Sequence, residues 1–209
     1  MRPLRRALQW IGAVSLGVAT LATGCRHGHD VQNRDVRGDE LAASGGTLSV
    51  SLRVQMTADG NKDRAVSEGE TLRTNDALSL IVRVSQPAYL YVVHFAPDGS
   101  SNVLFPTNQH DMAPASCPLR LPARGRLLLL DPAGNEDIRV VASVKPLAVA
   151  DRKLCESMRL PCPTDAAATP PRVAPCSDMQ QRFVLRDVKV ARDAGQGVAS
   201  LRFPLRHTP

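Results

Sequence analysis

Aromatic side chains are scarce: 209 residues hold one Trp, two Tyr and four Phe. Carbohydrate and single-stranded nucleic-acid sites usually lean on stacking platforms, and this chain has few rings to build one. Five cysteines occur, Cys25, Cys117, Cys155, Cys162 and Cys176, with no Cys-x-x-Cys among them. That removes the common zinc and thioredoxin-type spacings. There is no Gly-x-Ser-x-Gly elbow, phosphate loop or dinucleotide fingerprint, so the familiar local signatures of hydrolases and nucleotide enzymes are missing. The uncharged apolar run Trp10 to Ala22 is 13 residues long, short of the ~20 that a spanning helix needs.

That run fits the h-region of a secretory leader instead. Arg2, Arg5 and Arg6 precede it, and Leu21-Ala22-Thr23-Gly24-Cys25 ends it. Small residues before a cysteine resemble the lipobox of bacterial lipoproteins, with Cys25 as the lipidated residue. Several acyl chains would hold the protein stably on a lipid bilayer, whereas one binds only marginally. Ala22-Thr23-Gly24 also reads as an ordinary small-x-small cleavage site, which leaves a soluble periplasmic protein as the alternative. The cysteine count favours lipidation, because removing Cys25 from the tally leaves an even four that can pair. Arg26, rather than an aspartate, follows Cys25, and points to the outer membrane on its periplasmic side. The formal charge is +6. The leader carries three of those positive charges and no acid, so a chain starting at Cys25 keeps +3. A nucleic-acid partner is not expected at that charge.

The expected organisation is a leader at 1–24, a flexible tether at 25–46 and one domain at 47–209. The tether is polar and unpatterned, with a reach of roughly 25 Å. It contains His27-Gly28-His29-Asp30 and Arg37-Gly38-Asp39, which in a mobile linker read as chance groupings. From Thr47 the pattern changes. Leu48, Val50, Leu52 and Val54 alternate with polar residues, as do Leu78, Leu80, Val82 and Val84, and period two marks a half-buried strand. Ala88 to Ala96 is a further strand, with Leu90, Val92 and His94 on one face. Pro97-Asp98-Gly99 signals a hairpin, and Asn102 to Phe105 returns. Arg126 to Leu130, Ile138 to Val144, Phe183 to Val190 and Val198 to Leu205 complete roughly eight strands. Leu147 to Arg159 predicts one short helix, with Leu147, Ala150, Leu154 and Met158 on one face. Closely spaced turns favour an all-β, immunoglobulin-like β-sandwich.

The ordered motifs Gly69-Glu70-Thr71-Leu72, Leu78-Ser79-Leu80, Ala88-Tyr89-Leu90-Tyr91-Val92, Asp98-Gly99, Leu104-Phe105-Pro106, Leu121-Pro122 and Gly134-Asn135-Glu136-Asp137-Ile138-Arg139-Val140-Val141-Ala142-Ser143 resemble a bacterial domain of unknown function, number forty-three eighty-four. The resemblance runs from about Glu68 to Leu147. It implies a compact β-rich module that often sits beside a peptidase or kinase domain, or on secreted and surface proteins, and carries over no catalytic residue.

Candidate chemistry is thin. His94 lies close in sequence to Ser100 and Ser101, and His110-Asp111 follows in a loop, so a pocket in which His94, His110 and Asp111 converge would favour an enzyme. Two histidines fall short of the three protein ligands of a catalytic metal, and no metal or other cofactor is expected. The four remaining cysteines predict two disulfides in an exported chain, with Cys155–Cys162 and Cys117–Cys176 the favoured pairing of three. The leading expectation is a membrane-anchored, non-enzymatic binding or accessory module with a protein partner in the cell envelope. The alternatives are a hydrolase or metal-dependent enzyme with a loop-built site, and a structural peptidoglycan-associated protein.

Overall fold

A computed structural model describes residues 31–36, 46–58, 62–106, 111–115, 117–162, 172–173 and 185–209. They form two mainly antiparallel sheets that enclose one apolar core. The first sheet runs β1 (Val31–Val36), β13 (Leu185–Arg192), β2 (Ser49–Ala58), β5 (Ala77–Val84) and β10 (Leu127–Leu128). In it β3 (Lys62–Ala65) pairs with β2, and β9 (Leu119–Leu121) pairs with β5. The second sheet runs β12 (Arg172–Val173), β8 (Asp111–Ala113), β6 (Ala88–Phe95), β11 (Gly134–Ser143), β14 (Val198–Thr208) and β4 (Thr71–Arg73), with β7 (Ser101–Phe105) on β6. The chain is therefore an all-β sandwich, and the alternating positions explain why. Leu48, Val50, Leu52 and Val54, then Leu78, Leu80, Val82 and Val84, face Leu90, Val92, Ile138, Val140, Leu201 and Phe203 across the core. Full burial of one such side chain contributes about 1.5–3 kcal/mol.

The hairpin at Pro97-Asp98-Gly99 joins β6 to β7. Gly99 takes φ +80, which a side chain would resist. Asp98 Oδ1 accepts the Ser100 N–H at 2.8 Å. Hydrogen bonds from Ser100, side chain and backbone, hold the Asp98 carboxyl below its ordinary value.

Several expectations need correction. Within the stretch read as a tether, Val31–Val36 forms β1 and pairs antiparallel with β13. Backbone pairing needs an open sheet edge rather than apolar side chains, so a polar segment can satisfy it. The single helix is two: α1 (Leu147–Ala150) and α2 (Arg152–Ser157). Asp151 breaks the run with φ −154 and ψ 92, and its side chain accepts the Leu154 N–H at 2.9 Å. An Asp at that position caps a new helix rather than continuing the old one. As a result Cys155, not Ala150, joins Leu147 and Met158 on Tyr91, Val93 and Val141, the outer face of the second sheet. The strand count exceeds eight because β3, β4, β8, β9 and β12 are two to four residues long. Pieces that short carry too few alternations to register as strands.

β11 starts at Gly134, four residues before the expected Ile138, and β14 runs on to Thr208 beyond Leu205. The two extensions are one event, since Gly134 pairs with His207 and Glu136 with Leu205. Gly134 also admits close packing there: a Cβ on it would lie 2.7 Å from Pro97 Cβ. The expected strand Arg126 to Leu130 shrinks to Leu127–Leu128, because Leu129 instead bonds Asp76 and Asn75 in the turn before β5.

Candidate functional site

The extension of β11 along β14 builds a buried polar cluster. On β6, His94 shares the inner face with Leu90 and Val92. It stands opposite Ile138, while His207 stands opposite Gly134. Glu136 lies on the same face, midway between those two positions, so its carboxylate reaches diagonally to both imidazoles. The His94 Nε2–H donates to Glu136 Oε2 at 2.5 Å. His207 Nδ1 lies 2.9 Å from Glu136 Oε1, a close approach that is not aligned as a hydrogen bond. On the other side of that ring, Nε2 meets Thr74 Oγ1 at 2.9 Å. Thr74 in turn donates to Asp131 Oδ1 at 3.2 Å.

The side chains of His207 and Glu136 are 0% and 1% exposed, and that of His94 is 11% exposed. Three ionisable groups are thus removed from water with each other as partners. Burial of this kind is tolerated only when the groups are paired and hydrogen-bonded. The ligand atoms point at one another, not at a common vacant centre. Among the described residues no group of three His, Cys, Asp or Glu side chains is arranged to hold a metal ion.

The sequence-derived candidates are distributed as follows. His94 bonds Glu136, while the Ser100 N–H is taken by Asp98 and Ser101 pairs with Phe95 in the β6–β7 ladder. Asp111 begins β8, whose Met112 pairs with Tyr89, five residues and roughly 16 Å along β6 from His94. His110 lies outside the described residues, as do Cys25, His27, His29, the Arg37-Gly38-Asp39 tripeptide and Cys176. Cys155 is joined to Cys162. Cys117 is buried and also disulfide-bonded.

Glu136, His207, Thr74 and Asp131 were not singled out by the sequence. Two of them had a usable signal. Glu136 is in phase with Ile138, Val140 and Ala142, and His207 with Leu201, Phe203 and Leu205. Polar residues in phase with an apolar stripe are candidates for a buried pair.

A second feature lies on the outer face of the first sheet. A groove of about 440 Å³ is lined by Thr57, Ala77, Arg120, Ala123, Gly125 and Arg126. Arg126 donates to Thr57 Oγ1 at 3.0 Å and pairs with Asp63 at 3.3 Å, so its guanidinium lies along the groove wall.

The ordered motifs, now seen as β4 to β11, coincide with a known sequence family. Residues 71–146 match the family model described as Domain of unknown function (DUF4384). No curated protein and no solved structure matches the chain. The DUF4384 stretch supplies His94, Glu136, Thr74 and Asp131, but not His207. It also lacks β1, β2, β3, β12, β13 and β14, which complete the two sheets around it. In this protein the DUF4384 segment is therefore built into a larger sandwich, and the buried cluster straddles its boundary.

Proposed function

We propose that this protein is a cell-envelope lipoprotein, anchored through Cys25, whose β-sandwich is a non-enzymatic binding module for another envelope protein. The observation that carries the reading is the engagement of His94 and His207 by Glu136 in the interior. The side chains best suited to acid–base chemistry are engaged with one another there, largely buried. An accessible feature among the described residues is the groove on the first sheet, with arginines at its wall. The proposed location is the periplasmic side of the outer membrane.

Two measurements test this. Cys25→Ser is expected to release the protein from the membrane fraction or leave the precursor unprocessed. An unmodified Cys25 at the mature N-terminus, read by mass spectrometry, would remove the anchor from the proposal. A photo-crosslinking amino acid at Ala123 is expected to give a discrete protein adduct in intact envelopes. Absence of any adduct would overturn the binding-module reading.

A further inference from the structure

The outer edge of the first sheet is made by β9 and β10 in line, both paired to β5. Its two halves differ. Edge strands are normally protected against pairing with other chains by charge, proline or irregularity. The β9 half and the turn after it have such protection in Arg120, Pro122 and Arg124. The β10 half is only two residues long and is flanked by Arg126 and Asp131-Pro132, but between those flanks stand four leucines with no charge or proline among them. Leu127 and Leu129 turn inward against the core, and Leu129 is fully buried. Leu128 and Leu130 turn outward and are 49% and 60% exposed.

The backbone follows the same alternation. Leu129 directs its N–H to Asp76 O and its C=O to Asn75 N–H. In an antiparallel ladder the neighbouring residues then present their N–H and C=O groups to the opposite side. For Leu128 and Leu130 that side is the edge where β10 ends the strand order among the described residues. Leu128 pairs with Ala77, a groove-lining residue, so this edge and the groove with Arg120 and Arg126 adjoin.

We infer that β10 is a docking edge for an extended, acidic–apolar segment of a partner protein, which adds as a further strand beside Leu128 and Leu130. This rests on the binding-module reading and names the partner's chemistry. Backbone pairing would supply affinity, and alternate side chains the selectivity. One set of partner side chains would cover the two leucines. Acidic side chains would meet Arg120, Arg124 and Arg126 at the groove end of the edge, where Asp63, on Arg126, is the acid paired with them among the described residues; Asp76 and Asp131 lie at the other end. The positive charge at the groove end selects an acidic segment there and disfavours a basic one.

The probe is a pair of labelled hexapeptides, one alternating valine with glutamate and one alternating valine with lysine, titrated against the full mature chain by fluorescence anisotropy. The glutamate peptide is expected to bind at least tenfold more tightly and to slow amide exchange at Leu128 and Leu130. Leu128→Ser with Leu130→Ser is expected to weaken it at least tenfold, with far-UV circular dichroism unchanged because both side chains are exposed. Arg120→Glu with Arg124→Glu is expected to reverse the preference between the peptides. Equal binding of the two peptides, or none, overturns the inference. So does self-association that the leucine variants abolish, which would assign the edge to a second copy. If the Ala123 envelope adduct persists when the leucines are replaced, the edge is refuted while the binding-module reading stands.

Discussion

His94 and His207, on strands either side of β11, are held by the two oxygens of one carboxylate, that of Glu136. The arrangement pins one end of the second sheet from within. It also connects the DUF4384 stretch to a strand outside it.

Glu136→Ala is expected to destabilise the fold by on the order of 3 kcal/mol, since both imidazoles then lose a buried partner. Urea unfolding should show a lower midpoint with an unchanged slope. Because the cluster joins β6, β11 and β14, exchange of backbone amides at Gly134 to Glu136 should accelerate more than at Val140. Uniform acceleration along β11 would contradict a local pin.

Tyr91→Phe tests the link between the sheet and α1. The Leu147 N–H donates to Tyr91 Oη at 2.9 Å, and burial pushes the phenol above its ordinary value. Removing the oxygen strands a buried helix-start N–H, at a cost of about 1–3 kcal/mol. The Leu147 amide should then exchange faster while the core strands are little affected.

Asp193 gives a pH-dependent contribution. Burial pushes its carboxyl up, but backbone hydrogen bonds from Gln196, Gly197, Val198 and Gly195 outweigh that and leave it below the ordinary value. The Asp193 oxygens lie 2.7 to 2.9 Å from the Gly195, Gln196 and Gly197 nitrogens. A carboxyl lowered in the folded state stabilises above its unfolded value of about 3.9 and ceases to do so as pH falls through the folded value. Asp193→Asn should therefore be less stable than the parent at pH 7, and the gap should close on acidification. A gap constant from pH 7 to pH 2 would contradict this.

The cysteines are open to direct mapping. Reducing Cys155–Cys162 opens a loop of seven residues, for which chain entropy gives about 2 kcal/mol. Loosening should centre on α2, where Cys155 is buried against Tyr91 and Met158. Non-reducing peptide mapping is expected to place Cys176 on Cys117. A different partner would alter the connectivity without touching the fold.

Alternation was legible in the chain because each long core strand, such as Leu78 to Val84, sets its apolar side chains on the face toward the main core, and period two is a local property of side chains; that Ser79 and Arg83 on the other face are buried as well left no such trace. The 96–100 hairpin was legible for the same reason: Asp98 and Gly99 supply the required bond and backbone angle within four residues. The DUF4384 segment was recognisable from motifs that are themselves these local fold determinants. The Asp151 break was less so, since an Asp in a helical pattern becomes a cap only when the chain direction changes there.

Tertiary structure alone decided which strands are neighbours, and with that the polar cluster. Glu136 acquires its role from His207 on a strand far along the chain, and no local pattern couples them. The short strands β4, β8, β9 and β12, and the polar β1, exist because a neighbouring edge offers backbone hydrogen bonds, which leave no trace in side-chain periodicity. The same holds for the β10 edge. Four consecutive leucines after Arg126 gave no indication which two would face water. That was determined when Leu129 was drawn into the core by Asn75 and Asp76, turning Leu128 and Leu130 outward.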